Sequence, residues 1–76
     1  MNNTINTVDA RGLSCPQPVI MTIREIKKVK KGDIAILVDT ETAQENVVRA
    51  AKLQGWNIVE VVSTDGNYKI VIRREE

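Results

Sequence analysis

Between residues 19 and 29 the apolar side chains Val19, Ile23, Ile26 and Val29 recur at intervals of four and three, which is the period of one face of an α-helix. Ile20 lies beside that stripe. The spacing predicts a helix over residues 16–30, stopped by Gly32. Lys27, Lys28, Lys30 and Lys31 crowd its last turn, where cations complement the negative end of the helix dipole. A second helical pattern follows, in which Ala43, Val47, Ala50 and Ala51 form a narrow apolar stripe. Thr42 and Glu45 have the spacing of a capping box at its start, and Gly55 ends it. Glu45 and Arg49 add an i,i+4 pair on its wet side.

The other segments have the period of strands. Residues 4–10 carry Ile5, Thr7 and Val8 without Gly or Pro and predict a short strand. Residues 33–39, D-I-A-I-L-V-D, are nearly all apolar and too short for a helix, which predicts a central strand. Asp65-Gly66 between two β-rich runs marks a two-residue hairpin turn. Centring the turn there pairs Val61 with Ile70 and Val59 with Ile72 on a core face. It pairs Glu60 with Val71, Val62 with Lys69 and Ile58 with Arg73 on the other.

The order is β-α-β-α-β-β. Right-handed crossovers put both helices on one face, so the expected fold class is α/β: a two-layer sandwich, a four-stranded mixed sheet under two helices. Ala35, Leu37, Ile58, Val62 and Val71 are expected on the open face, where they read either as a docking or dimer surface or as ordinary scattered apolar residues. Seventy-six residues hold one core, so residues 1–76 are expected to form a single domain.

Composition narrows the function. With 42% hydrophobic and 28% charged residues, no Phe, one Trp and one Tyr, the chain reads as a soluble domain with a thin aliphatic core. A net charge of +1 gives no long-range field for non-specific nucleic-acid binding. The absence of His removes imidazole base catalysis, Cys-His and Ser-His pairs and most transition-metal sites. The single cysteine cannot form an internal disulfide. No secretory leader pattern precedes the first strand, so the expected location is cytoplasmic, with no membrane and no metal.

That cysteine, Cys15, lies in Arg11-Gly12-Leu13-Ser14-Cys15-Pro16-Gln17-Pro18, at a strand-to-helix junction. A lone cytosolic cysteine is most often a small buried hydrophobe, but its neighbours alter that reading. Pro16 suits the first helical position, which puts Cys15 at the N-cap. There the positive helix end and the Gln17 amide favour the thiolate, because Pro18 has no N–H to offer. Two prolines stiffen the turn around Gln17. Gly12 supplies a positive φ or a close approach, or is equally a plain turn glycine, and Leu13 is expected to plug the core under the loop. Without His or a second Cys the thiolate can only accept a group and hand it on, a role that persulfide sulfur fits. The four lysines are ordinarily a solvated helix end; they are retained as candidate contacts for an acidic partner or tRNA.

The motif G-L-x-C-P-x-P, in a β-α-β-α-β-β chain of this length, resembles the TusA, SirA and YedF family of small sulfur carriers over residues 8–73. The resemblance implies a persulfide on Cys15, with Gly12, Leu13, Pro16 and Pro18 matching the rest of the motif. It implies a sulfur-donor protein such as a cysteine desulfurase and a sulfur-acceptor protein, in sulfur relay, tRNA thiolation or selenium metabolism. No cofactor is implied, and tRNA is involved only indirectly. The implied sandwich is similar to the C-terminal domain of translation initiation factor three, with the fourth strand between the second and third. TusA itself commonly carries Asp-Pro-Ala after the second strand, where this chain has Asp39-Thr40-Glu41-Thr42-Ala43. Glu45-Asn46-Val47 with Arg49 and Gly55 resembles the YedF branch, associated with selenium metabolism. The alternative is a non-catalytic RNA- or protein-binding module of the same fold.

Overall fold

A computed structural model describes residues 6–14 and 16–75. The elements follow the expected order: β1 (Asn6–Asp9), α1 (Gln17–Val29), β2 (Gly32–Val38), α2 (Glu41–Leu53), β3 (Asn57–Thr64) and β4 (Asn67–Arg74). Ile5, assigned to the first strand by its pattern, lies outside the described residues. The sheet order is β1-β2-β4-β3, with β1 parallel to β2 and both other pairings antiparallel. This is the mixed sheet of an α/β two-layer sandwich, with β4 between β2 and β3 as expected. Among the described residues, no helix is long and apolar enough to cross a membrane.

The core lies between the sheet and the helices. Ile34, Ile36 and Val38 of β2 stand beside Ile72, Ile70 and Tyr68 of β4, and the four isoleucines are fully buried. Burying a side chain of this size contributes roughly 1.5–3 kcal/mol of transfer free energy. Val47, Ala51 and Ala43 of α2 and Ile26 of α1 close the layer from above. The alanine stripe of α2 keeps that helix close to its neighbours. Trp56, 2% exposed, fills the corner where α2 turns into β3.

The helix boundaries differ from the pattern for physical reasons. The cap of α2 is Thr40, not Thr42: its Oγ1 accepts from the Ala43 amide at 3.1 Å, which starts the helix directly after β2. Gly55 ends it as expected, with the Gly55 amide donating to Lys52 O and the Trp56 amide to Ala51 O, both at 3.0 Å; this is a Schellman motif. Arg49 does not pair with Glu45, and its guanidinium lies 3.5 Å from Asn46 Oδ1. On α1 the buried line is Pro18, Thr22 and Ile26, while Val19 and Ile23 are half-buried. Thr22 enters the core because its hydroxyl donates to Pro18 O at 2.8 Å, which removes the cost of burying it unpaired. The helix stops at Val29, before Gly32, with Lys30 as its C-cap at φ +73°.

The hairpin turn is placed correctly, and Asp65 and Gly66 both take positive φ, 51° and 82°, as a type I′ turn requires. Val61 faces Ile70, Glu60 faces Val71 and Val62 faces Lys69. Beyond Glu60 a bulge shifts the register, so that Ile58, not Val59, stands beside Ile72, and Asn57 stands beside Arg73. Ile58 therefore packs on the core and leaves the open face, whereas Ala35, Leu37, Val62 and Val71 remain in open-face rows. Val59 and Val61 are 44% and 42% exposed, because β3 is an edge strand with no neighbour beyond it among the described residues.

Candidate functional site

Parallel β1 and β2 end side by side, and the ladder continues past β1 through the Ala10 amide, which donates to Leu37 O at 2.8 Å. The loop that follows β1 therefore leaves the sheet next to the residue that follows β2. In open α/β sheets this carboxyl edge is where ligands and chemistry collect. Gly12 donates its amide to Oδ2 of Asp39 at 2.9 Å, which pins the loop to the end of β2. Gly12 has φ +80°, and a Cβ added there would meet nothing within 4 Å. The glycine is thus required by its backbone conformation and not by a close approach.

Arg11 fastens the same loop from the other side. Its Nε and Nη2 donate to Oδ1 and Oδ2 of Asp9, both at 2.9 Å, and its amide also donates to Oδ1 at 3.2 Å. The side-chain hydrogen bonds, followed by the amide, hold the Asp9 carboxyl down at about 2. Asp39 adds a favourable field at the guanidinium, so Arg11 sits within reach of the two carboxylates that frame the loop.

At the start of α1 the capping differs from expectation. The Ile20 amide donates to Pro16 O at 3.0 Å, which makes Pro16 the N-cap and Gln17 the first helical residue. Cys15 lies outside the described residues, and the cap position expected for it belongs to Pro16. The Gln17 amide, expected to serve the sulfur, donates instead to Ser14 O at 2.9 Å. Two of the four amides at a helix start are removed by proline, Gln17's is engaged by the loop, and Val19 carries the fourth. The first turn contains no acidic residue that would offset the positive helix end. Both prolines fall at positions where no N–H is required.

Leu13 and Pro18 exchange their expected roles. Leu13, expected as the core plug, is 40% exposed. Pro18, expected only to stiffen the turn, is fully buried beside Thr22. The ring anchors the helix start, and Leu13 is left on the surface of the loop. Ser14 and Pro16, on either side of position 15, are both exposed, as is Gln17.

The four lysines do not join this site. They lie near the far end of α1, 10 to 14 positions beyond Gln17, where a helix rises about 1.5 Å per residue. Lys28 stands apart from the others, with Nζ 3.9 Å from Glu25 Oε1. Lys27, Lys30 and Lys31 converge on a separate groove with Arg74. Asp39, Asp9 and Thr22 were missed as site-shaping residues. The signal for Asp39 was its place directly after a strand parallel to the one that feeds the cysteine loop.

The family model described as sulfurtransferase TusA matches residues 6–74. A candidate sulfur carrier of Archaeoglobus fulgidus is 31% identical over 68 residues, 88% of this chain and 93% of that protein. The sulfur carrier protein TusA of Buchnera aphidicola is 26% identical, over 91% of this chain and 89% of that one. Among solved structures, the SirA-like protein of Desulfitobacterium hafniense superposes with a TM-score of 0.86 at 28% identity, covering 95% of this chain and all of the other.

Proposed function

Because the chain belongs to the TusA sulfurtransferase family, we propose that it carries sulfur as a persulfide on Cys15. The observation that supports this most strongly is the pinned loop. The chain's single cysteine falls in a segment tied down by Asp39 and Arg11, with exposed neighbours, next to the positive end of α1. A loop fixed in this way ahead of the helix leaves an incoming partner little to reorganise.

The Cys15 thiolate attacks the outer sulfur of a donor persulfide. A new S–S bond forms, the donor S–S bond breaks, and the donor cysteine leaves as a thiolate. Delivery reverses the roles: an acceptor thiolate attacks the outer sulfur, and Cys15 is the leaving group. Nothing is oxidised or reduced overall, since one sulfane sulfur changes hands. A chain with no His and one Cys can perform both steps, because proton transfer and disulfide resolution fall to its partners. The helix dipole helps the thiolate both as nucleophile and as leaving group. The donor is a protein of the cysteine desulfurase type, the acceptor is a second protein, and the exchange requires a reducing compartment such as the cytoplasm.

Radiolabelled cysteine with a cysteine desulfurase tests this reading. The label is expected on the wild-type chain, released by a thiol reductant and absent from Cys15→Ser. A wild-type chain that stays unlabelled would leave the non-catalytic binding module as the better account.

A further inference from the structure

At the pole opposite the cysteine loop, the C-terminal ends of α1 and α2 and the end of β4 enclose a groove of about 650 Å³. Its floor is Ile26 and the half-buried Val29, Gln54 stands at one side, and Lys27, Lys30, Lys31 and Arg74 form the rim. Among the described residues no carboxylate lines it, and Glu75, next to Arg74 in the chain, acts on Arg73. Four of the chain's eleven basic residues are gathered here although the net charge is only +1, so the rest of the molecule is net negative and the positive field is local.

The helix dipole does not account for this cluster. A helix end carries about half a charge, which Lys27 and Lys28 in the last turn already answer. Lys30 and Lys31 lie past the helix, and Arg74 comes from a different element. The backbone at Lys30 is a second, independent observation. Lys30 has φ +73° and ψ −38°, and the Lys31 amide donates to Val29 O at 2.8 Å, which makes Lys30 the centre of a γ-turn of the strained hand. Glycine adopts that conformation with less strain, yet the position holds a lysine whose side chain lines the groove.

We infer that this groove binds an acidic, partly apolar polypeptide segment of a partner protein. Ile26 and Val29 offer an apolar floor, Gln54 offers both a donor and an acceptor for a peptide main chain, and the cationic rim meets Asp or Glu side chains. The floor and the absence of any aromatic side chain among the described residues that line the groove favour a polypeptide over nucleic acid. A phosphate backbone has no use for an apolar floor, and unpaired bases seek stacking partners. The α1 residues of the groove lie about 14–18 Å along the helix from Gln17, at 1.5 Å rise per residue, so a partner held there leaves the cysteine loop open.

The test is a titration of the isotope-labelled full chain, followed by amide NMR, with an acetylated probe peptide of alternating Leu and Glu. Shifts are expected at Lys27, Lys30, Lys31, Gln54 and Arg74, fading at about 1 M NaCl, where the Debye length is roughly 3 Å. Lys27→Glu with Lys31→Glu is expected to weaken binding about tenfold or more. Lys30→Gly is expected to weaken it about two- to threefold while the melting temperature holds or rises, a combination that a purely structural lysine would not give. Cys15→Ser is expected to bind the probe unchanged, which separates this inference from the persulfide reading. Unchanged affinity in the Lys→Glu variant, shifts located elsewhere, or tighter binding of an RNA duplex at the same salt would each overturn it.

Discussion

The Gly12 amide meets Oδ2 of Asp39 at 2.9 Å across 27 positions of chain, and this contact joins the cysteine loop to the carboxyl end of β2. Asp39→Ala removes the acceptor and is expected to cost about 1 kcal/mol, with faster hydrogen exchange at the Gly12 amide. Sulfur transfer is expected to slow several-fold, since the loop is no longer held in one place. Asp39→Asn retains a side-chain oxygen and is expected to restore most of both. Equal exchange rates at Gly12 in wild type and Asp39→Ala would show that the contact does not hold the loop.

The Asp9 and Arg11 pair sets a pH dependence whose sign follows from the carboxyl. The Arg11 hydrogen bonds lower Asp9 from the ordinary 3.8 to about 2, so the pair stabilises the folded chain above about pH 4. That contribution is lost as the pH falls toward 2. A carboxyl-carbon NMR titration is expected to give a midpoint near 2 for Asp9 in the wild type. In Arg11→Ala the midpoint is expected to return toward the ordinary value, and a midpoint that does not move would exclude Arg11 as the cause.

Pro18 contributes through packing as well as stiffness. Its ring is fully buried, so Pro18→Ala opens a small cavity at the start of α1 and is expected to destabilise the chain by about 1–2 kcal/mol. Trp56 is the only tryptophan, and its emission during urea unfolding measures the change. A variant as stable as the wild type would show that the helix start collapses onto the gap.

The periodicity of the apolar residues carried the element order, the central strand, the alanine face of α2 and the hairpin turn. Local pattern does not carry what depends on a neighbouring element. Thr40 caps α2 because β2 ends at Val38, and Thr42 matched the capping signature equally well. Ile58 is turned into the core by a bulge that alternation along β3 does not reveal. Leu13 is the more apolar residue, yet Pro18 is the one buried, because position 18 lies on the same helical line as Thr22 and Ile26. Asp39 became visible as a site residue only once β1 and β2 were seen to end together.

The reactivity expected of the thiol can be separated from its cargo. With the Gln17 amide engaged by Ser14 O, the helix dipole is the main remaining cause of thiolate stabilisation, so the Cys15 midpoint is expected below the roughly 8.5 of a free thiol. Iodoacetamide alkylation rates against pH give that midpoint, and a value at or above about 8.5 would remove the activated nucleophile from the account.

Whether Cys15 holds transferable sulfur is decided by mass spectrometry of the chain after incubation with cysteine and a cysteine desulfurase. The expected result is one added sulfur atom, located by fragmentation on Cys15, removed by a thiol reductant and missing from Cys15→Ser. An unmodified chain under conditions where the desulfurase itself carries persulfide would contradict it.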